Sequence, residues 1–410
     1  MWLFLFLLLI PTQLGRHFWP EWSYVLGIRV DYLSPTLYLL DLIWIGILVK
    51  SLSSYKAYQV KKILNFKNLL ILGFVAINVL VAVNPWVAVY KWLRVGQILI
   101  TFFYFRKNKE LIKDNLVKVI PGWIVFESLL AVAQIAKNGS LNGIFYWFGE
   151  RSFTFNTIGI AQISLLGRGL IRAYGTFSHP NSLAGFLLVV LLLWYFFREK
   201  INKYWWWVVF WLGFLGIMVS GSRTAWVLTF GLVLGLAFVK IKNKLNLIGL
   251  FLLFLAVLVF VLRLVNMEYP ISNFLGGWDS DGIGKRMQLN LAGLKMIKES
   301  PWFGTGLGNF LVRLPEFQKN NGIYWLQPVH NILILAWSQV GILGLGLLFL
   351  FFNKNIVWKK LNFIIKIILL VVAGSGMIDH YWLTLPQNVW LLVLVMSLSS
   401  SSSYKVSKVK

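Results

Sequence analysis

The sequence contains no cysteine, and charged residues make up only 13% of its 410 residues. Without cysteine, disulfide frameworks and thiol chemistry are excluded. A soluble protein of this length needs far more surface charge, whereas 58% of these residues are hydrophobic and the mean hydropathy is +0.73. The composition therefore indicates an all-α polytopic membrane protein.

Acidic residues are scarce, at 14 against 39 lysines and arginines, which gives a net charge of +25. In a soluble protein this excess would suggest nucleic-acid binding. Here the basic residues are scattered between apolar segments rather than gathered on one domain. We therefore expect membrane lipids and no nucleic acid as partners, and we attribute the lysines to loops that set topology.

Apolar runs bounded by charges or turn residues predict about twelve membrane helices in a single integral membrane domain, 1–410. The first run lacks a basic n-region and a cleavage site, so we interpret it as a retained span rather than a signal peptide. The approximate cores are 1–14, 34–52, 68–84, 86–105, 116–136, 181–197, 204–220, 224–240, 245–265, 330–352, 361–378 and 387–399.

Every second loop is rich in lysine, which by the positive-inside rule places those loops, both termini and the basic tail 400–410 in the cytoplasm. The predicted location is thus the cytoplasmic (inner) membrane, crossed many times. Two longer loops then face outward, 138–180 and 266–329, the latter between the ninth and tenth helices. It contains an amphipathic helix, expected along the outer interface, whose apolar residues recur at helical spacing: Met287, Leu291, Leu294 and Ile297.

Arginine and histidine collect on the predicted outer side, which holds ten of the twelve arginines and all four histidines. Arginine grips phosphate bidentately and stays ionised when partly desolvated. The set favours an anionic ligand at the outer interface. The alternative is that each arginine extends to the membrane surface or pairs with an acidic residue.

Two motifs place arginines at helix starts. The stretch "RAYGTFSHPNSLAG", 172–185, holds Arg172, His179 and Asn181 just before an apolar helix. "SGSRTAW", 220–226, holds Arg223 at the start of the next helix but one. Free N–H groups and the helix dipole favour a phosphate at such a place. The simpler reading is a helix cap with an interfacial arginine.

Further candidates lie later in the chain. A glycine-rich turn with Gly304 and Gly306 is either a phosphate cradle or, as we favour, a chain reversal. His330 begins the tenth helix beside Asn331, and imidazole suits general base catalysis. The pair Asp379 and His380 is a second acid–base candidate. No histidine and carboxylate group has metal-ligand spacing, so we predict neither a metal nor another cofactor.

These motifs, in this order, resemble the O-antigen ligase and O-antigen polymerase superfamily. The resemblance rests on "RAYGTFSHPNSLAG", "SGSRTAW", "PWFGTGLGNF" and "VHNILILAWSQVGILGLG", with "VDYLSPTLYLLD" and "DHYWLTLPQ" at either end. It implies a GT-C-like membrane glycosyltransferase that takes a glycan from undecaprenyl diphosphate at the outer face, without metal, and with inversion. It also implies that Arg172, Arg223 and Arg286 bind the donor diphosphate and that His330 is the base.

The resemblance leaves the acceptor open. Ligases transfer the glycan to a lipid-linked core, and polymerases transfer it to another lipid-linked glycan. Two other classes remain open as well: a transporter of a small anion, and a non-catalytic subunit of a polysaccharide export complex. Lys91 and Arg94, inside the fourth span, have no role in any of these interpretations.

Overall fold

A computed structural model describes residues 1–52, 66–165, 168–240, 283–318 and 325–399. These residues are mostly helical, with three small antiparallel hairpins that pair β1 with β4, β2 with β3 and β5 with β6. The strands are β1 (Gly15–His17), β2 (Tyr24–Val25), β3 (Ile28–Arg29), β4 (Thr36–Tyr38), β5 (Gln162–Leu165) and β6 (Arg168–Ile171). The helices are α1 (Trp2–Leu8), α2 (Leu39–Leu52), α3 (Phe66–Leu80), α4 (Pro85–Lys107), α5 (Lys109–Lys137), α6 (Ile144–Trp147), α7 (Pro180–Phe196), α8 (Lys203–Val219), α9 (Arg223–Lys240), α10 (Ile283–Glu299), α11 (Phe310–Phe317), α12 (Ile332–Asn355), α13 (Phe363–Gly376), α14 (Tyr381–Thr384) and α15 (Pro386–Ser399).

Every predicted span that falls on described residues contains a helix. The predicted span 245–265 and the tail 400–410 lie outside the described residues. The prediction for 1–14 is wrong in extent: α1 has 7 residues, or about 10 Å, and Pro11, which cannot continue a helix, follows soon after. By length and composition, α5 with 29 residues and α12 with 24 can cross a membrane.

Helix α7 lies at the centre of the helical bundle. Fourteen of its 17 residues are buried, and it contacts α5, α8, α9, α13 and α15. A helix that is apolar on all sides suits this place, because none of its faces has to meet a polar surface. Since the polar stretch 172–179 leads directly into α7, its side chains are held against the most enclosed helix of the described chain.

Close approach of α8 to its neighbours depends on two glycines. A Cβ at Gly213 would lie 2.8 Å from Ile124 of α5, and a Cβ at Gly216 would lie 2.5 Å from Ser128 Oγ of the same helix. Small residues allow helix backbones to approach closely, which stabilises helix pairs where lipid removes the hydrophobic driving force. This contact fixes the end of α8, where the "SGSRTAW" motif begins.

Helix α12 is interrupted at Gly341, whose backbone is left-handed with φ of 64°. The turn after α10 inserts into this interruption. The N–H groups of Ile342 and Leu343 donate to the carbonyl oxygens of Pro301 (2.8 Å) and Trp302 (3.2 Å). The first N–H groups of the second half of α12 are therefore hydrogen-bonded to carbonyl groups of another segment of the chain.

The backbone before the interruption is also hydrogen-bonded by the protein. Ser338 O accepts from the N–H of Thr305 at 2.8 Å. Asn78 Nδ2 donates to Gln339 O at 3.0 Å and to Phe303 O at 2.7 Å. Polar backbone at membrane depth needs such partners, because lipid offers none. The interruption is thus an internal joint between α3, α12 and the turn after α10.

We expect Gly341→Ala to destabilise the protein by about 2–5 kcal/mol, because alanine disfavours this φ and its Cβ would overlap the backbone of Trp302. Gly346→Ala, in the same helix, is the control, because no atom lies within 4 Å of a Cβ there. Thermal unfolding in detergent measures both. Equal melting temperatures for the two variants would contradict the account of the joint.

The amphipathic helix predicted in the large loop is present as α10, but its predicted apolar stripe is not its buried face. The side chains that pack against the protein are Leu289, Ala292 and Met296. Gly293 lies on the same face, where a Cβ would be 2.5 Å from Ile334 of α12. Periodicity therefore located the helix correctly, and the residues exposed on its opposite side are Met287, Leu291 and Leu294.

Candidate functional site

Arg172 joins two of the sequence motifs. Its Nε donates to Ser220 O at 2.9 Å, in the turn between α8 and α9, and its Nη2 donates to Asn181 Oδ1 at 2.5 Å, at the start of α7. Gly221 lies against the arginine, since a Cβ there would be 3.1 Å from Nε. The Nη1 group makes no hydrogen bond with any described residue, so one end of the guanidinium stays available to a ligand.

Asn181 extends this connection to the late motif. Its Nδ2 donates to Asp379 Oδ2 at 2.8 Å, and Asp379 Oδ1 accepts from the backbone N–H of His380 at 2.8 Å. The Asn181 backbone N–H donates to His179 Nδ1 at 3.2 Å, so His179 caps α7. The chain of contacts from Arg172 to Asp379 thus links residues about 200 positions apart at one end of the helices.

His330 lies at the same end, before α12. Asn331 caps that helix by accepting from the N–H of Leu333 at 2.9 Å, and its Nδ2 donates to Met377 O at 3.3 Å. The ring of His330 is 5.1 Å from the ring of His380, centre to centre, in an edge-on arrangement. The His330 Nδ1 atom is buried without a hydrogen-bond partner. Such an unsatisfied buried atom is unusual and suits a position that a substrate group completes.

His380 is held in one orientation by Thr384. The Thr384 hydroxyl donates to His380 O (3.1 Å) and lies 2.7 Å from His380 Nδ1. Because that hydroxyl has a single hydrogen, we assign the Nδ1 proton to the contact with Thr384, which leaves Nε2 as an acceptor. The predicted pairing of the Asp379 carboxylate with an imidazole is not a ring hydrogen bond, since Asp379 bonds the backbone of His380 instead.

The possible ligand atoms of His330, Asp379 and His380 lie within 4.8 Å of one another, a cluster that sequence spacing did not reveal. Two imidazoles and a carboxylate could hold a divalent ion. Against this, both Asp379 oxygens already accept hydrogen bonds, and the charge of Arg286 acts on both imidazoles. The positive charge of Arg286 therefore makes these surroundings better suited to an anionic ligand than to a metal cation.

Three arginine charges converge here. Burial lowers the pKa of Arg172 to about 10; Tyr174 and Asp379 act in the opposite direction, and the charges of Arg223 and Arg286 lower it further. Arginine remains cationic at neutral pH at that value. Among the described residues, Arg286 makes no hydrogen bond and no ion pair. Asp379 is the one carboxylate whose charge acts on Arg172, so positive charge is in excess.

The imidazoles are neutral at physiological pH. Burial lowers the pKa of His330; the charge of Asp379 opposes this to a smaller extent, and the charge of Arg286 lowers the pKa further. The pKa of His380 is lowered chiefly by burial as well. Burial raises the pKa of Asp379, but the three histidines near it and the hydrogen bond from Asn181 lower it more, so it is ionised. The arrangement therefore combines a neutral base, one carboxylate and an excess of cations.

Two contacts of the site were not predicted from the sequence. The ring of Tyr32 lies 5.7 Å from that of His380, and Arg151 Nη1 donates to Ser178 O at 3.1 Å. Tyr32 stands in the "VDYLSP" stretch, so the early motif was the signal that could have placed it here. The segment between β3 and β4 thereby covers one side of His380.

The glycine turn has neighbours other than the arginines. A Cβ at Gly304 would overlap the backbone of Gln339, and one at Gly306 would overlap Ala82. The N–H groups of Leu307 and Gly308 donate to side chains, at 2.9 Å each. These contacts support the chain-reversal interpretation, in which the turn braces α12.

Arg94 has a complete set of partners. Its Nη1 and Nη2 bind the two Asp41 oxygens at 2.6 and 2.9 Å, and it also contacts Gln97 Oε1 at 2.7 Å. Asp41 ends the "VDYLSPTLYLLD" stretch, so this ion pair joins α2 to α4. Lys91 lies beside the Tyr90 ring, 5.3 Å from its centre.

Part of the chain is similar to a known protein family. Residues 208–349 match the model of the family described as O-antigen ligase. This region includes Arg223, Arg286 and His330, whereas Arg172 and Asp379 lie outside it. A comparison with curated proteins finds no match. The family whose model residues 208–349 match is therefore the one that the motifs resemble.

Proposed function

We propose that the protein is a glycosyltransferase that moves a glycan from undecaprenyl diphosphate to an acceptor hydroxyl at the outer face of the cytoplasmic membrane. One observation carries the proposal: cationic Arg172, Arg223 and Arg286 act on the same site as a neutral, unpartnered His330. That combination fits an anionic leaving group and a hydroxyl nucleophile. The O-antigen ligase domain supports the same chemistry.

The arginines would act on the leaving group. A diphosphate departs with its negative charge increasing as the glycosidic bond breaks. Cations already held in place stabilise that charge without waiting for solvent to reorganise. Arg172 is fixed by Ser220 and Asn181 and still presents Nη1, which is the preorganisation that this role requires.

His330 would act on the nucleophile. A sugar hydroxyl is weakly nucleophilic at neutral pH, and a neutral imidazole can accept its proton as attack proceeds. The acceptor oxygen then bonds to the anomeric carbon, the bond to the diphosphate oxygen breaks, and the proton passes to the imidazole. A single displacement of this kind inverts the anomeric centre. We propose that no metal takes part, because the arginines supply the positive charge that a metal would bring.

The interruption of α12 does not favour the transporter alternative. Broken helices bind ions in transporters when their freed backbone groups face the cargo. Here the groups beside Gly341 bond to Pro301, Trp302 and Thr305. The proposed site instead lies at the helix ends, where a substrate in the membrane interface can reach it.

Reconstituted vesicles test the proposal with a labelled undecaprenyl-diphosphate oligosaccharide, supplied with several acceptors and in EDTA. We expect the wild type to consume donor, and Arg223→Ala to lose at least about 10²-fold in rate while remaining folded. A ladder of lengthening glycans would identify a polymerase, and a single-step product would identify a ligase. Donor consumption that requires added divalent metal would contradict the metal-free mechanism, and wild-type rates in Arg223→Ala would contradict its role.

A further inference from the structure

A buried glutamate beneath the Arg172 loop has no cation to balance it. Glu127 of α5 is 0% exposed and faces Thr176 in the loop 172–181. Among the residues that the structure describes, no lysine, arginine or histidine forms an ion pair with it. An isolated carboxylate in such a place is costly unless it is neutralised.

The Thr176 hydroxyl has one hydrogen but lies within hydrogen-bond distance of two acceptor oxygens, so one of the two contacts needs a hydrogen from another group. Thr176 Oγ1 lies 2.7 Å from Pro11 O and also 2.7 Å from Glu127 Oε1. The carbonyl oxygen of Pro11 can only accept, and the threonine hydroxyl has a single hydrogen to donate. If that hydrogen goes to Pro11, the contact with Glu127 needs a hydrogen on the carboxyl group.

A neutral Glu127 satisfies all of these atoms. Its O–H, on Oε1, donates to Thr176 Oγ1, whose own hydrogen is donated to Pro11 O. Its Oε2 accepts from the backbone N–H of Thr176 at 2.9 Å. With an ionised carboxylate, two oxygen atoms would face each other at 2.7 Å without a hydrogen between them, which is repulsive.

Glu150 provides the contrast, because its carboxyl group accepts from N–H donors alone. Its Oε1 accepts from Gln134 Nε2 and from the N–H of Leu141, both at 2.8 Å, and its Oε2 accepts from the N–H of Asn142 at 2.7 Å. None of these contacts needs a proton on Glu150. The hydrogen-bond partners of Glu127 therefore require a protonated carboxyl group, whereas those of Glu150 are satisfied by an ionised one.

The loop that these groups hold is the one that carries Arg172. Gln134, seven positions after Glu127 on α5, accepts from the N–H groups of Tyr174 (2.9 Å) and Gly175 (2.8 Å). Gly175 has φ of 55°, and a Cβ there would overlap Glu127 Oε2. Gln387 Nε2 donates to Thr176 O at 3.1 Å. The loop is thus attached to α5 and to the start of α15 immediately after Arg172.

We propose that Glu127 is protonated in the folded protein, and that this neutral carboxyl group is a positioning residue that holds the loop 172–181 and, through it, Arg172. The protonation of Glu127 does not depend on the proposed function. Its effect on activity through Arg172 rests on the proposed function. The loop itself carries the titratable groups Arg172, Tyr174 and His179, Glu150 lies beyond Gln134, and Tyr381 lies against Gly185 of α7. Within the described part of the chain, none of them forms an ion pair with Glu127.

Stability then depends on pH in a definite direction. The folded chain holds a proton that an exposed glutamate releases above about pH 4.3. The folded state therefore binds more protons than the unfolded state, and wild-type stability falls as pH rises from there. Glu127→Gln removes this dependence, because its amide donates to Thr176 Oγ1 and accepts from the Thr176 N–H at every pH.

The experiment compares Glu127→Gln with Glu150→Gln in the full chain in detergent. The chain has eight glutamates, so labelling their side-chain carboxyl carbon with ¹³C gives a tractable infrared spectrum. At pH 7 we expect a protonated-carboxyl C=O band that is present in wild type and Glu150→Gln and absent from Glu127→Gln. We expect Glu127→Gln to melt within about 3 °C of wild type or higher, and Glu150→Gln to melt lower, because its amide NH₂ must face an N–H donor.

Absence of the band from wild type, or equal destabilisation by the two substitutions, would overturn the protonation. In the transfer assay we expect Glu127→Gln to keep activity within about 3-fold and Glu127→Leu, if folded, to lose at least about 10-fold. Retained activity in folded Glu127→Leu would overturn the positioning role. If the wild type transfers no glycan, the proposed function fails, while the band and the melting temperatures still decide the protonation.

Discussion

Replacing His330 with alanine is expected to lower the rate of glycan transfer by about 10²–10⁴-fold while leaving donor binding nearly unchanged. The reason is that His330 is assigned to the acceptor hydroxyl rather than to the diphosphate, and its buried Nδ1 has no other partner. Single-turnover kinetics with saturating donor measure the chemical step directly. A donor-binding titration of the same variant separates lost binding from lost chemistry.

The neighbouring histidine provides the comparison that this prediction needs. His380 belongs to the same cluster, but its Nδ1 is bonded to Thr384. If His380→Ala abolishes transfer and His330→Ala does not, the base is His380 and the assignment is wrong. His17→Ala is a further comparison, since His17 bonds Ser34 and Thr36 at the end of the segment that covers His380, and we expect it to lower transfer less than His330→Ala does.

The rate should also depend on pH through His330. Because burial holds its pKa below the ordinary value of 6.5, the neutral, basic form predominates at pH 7. The rate therefore falls on acidification as the ring is protonated, with a midpoint below pH 6.5. In His330→Ala the residual rate should lack this acidic limb. An unchanged limb in that variant would assign the titration to another group.

Replacing Arg172 with lysine is expected to lower kcat and kcat/KM together by about 10²–10³-fold, even though the charge is retained. A single ammonium group cannot reproduce the fork that bonds Ser220 O and Asn181 Oδ1 and still presents Nη1 to a ligand. Steady-state kinetics over a range of donor concentrations make the measurement. An effect on KM alone would mean that Arg172 contributes only to ground-state binding.

Arg313 is a suitable control for that substitution. Its guanidinium bonds Glu299 at 2.9 Å and Glu316 at 2.7 Å, and its partners are about half exposed. Surface ion pairs of this kind contribute little to stability. Arg313→Lys should therefore leave transfer unchanged. A loss comparable to that of Arg172→Lys would indicate a general effect of removing arginine rather than a specific effect at the site.

The sequence predicted the helices well, because long apolar runs determine them locally. It also predicted that Arg172, Arg223, Arg286 and His330 act at one place, since each stands at a helix end on the same predicted side and together they resemble one family. The connections could not be read from spacing. Asn181 and Asp379 are 198 positions apart, and nothing in either local pattern indicates that one donates to the other.

Other features depend on contacts that local patterns do not encode. Gly341 shares an apolar run with Gly344 and Gly346. The helix is interrupted at Gly341 because the turn after α10 inserts there. Glu127 is a single acidic residue within an apolar helix, and its partner Thr176 is 49 positions away. On α10 the predicted stripe faces away from the protein and a second apolar face packs against it, because a helix with apolar residues on two faces does not reveal which face meets the protein.

The joint at Gly341 bears on how the protein would respond to bilayer thickness. A continuous helix that tilts to match a thinner or thicker bilayer moves both of its ends. In α12 the backbone on both sides of Gly341 is bonded to the turn 300–309, and the first side is also bonded to Asn78. Because this turn follows α10, which packs against α12, the two helices are held together here, and we expect the spacing between Arg286 and His330 to be kept when they tilt. Transfer rates in lipids of different chain length should accordingly vary less for this chain than for a variant in which the joint is loosened.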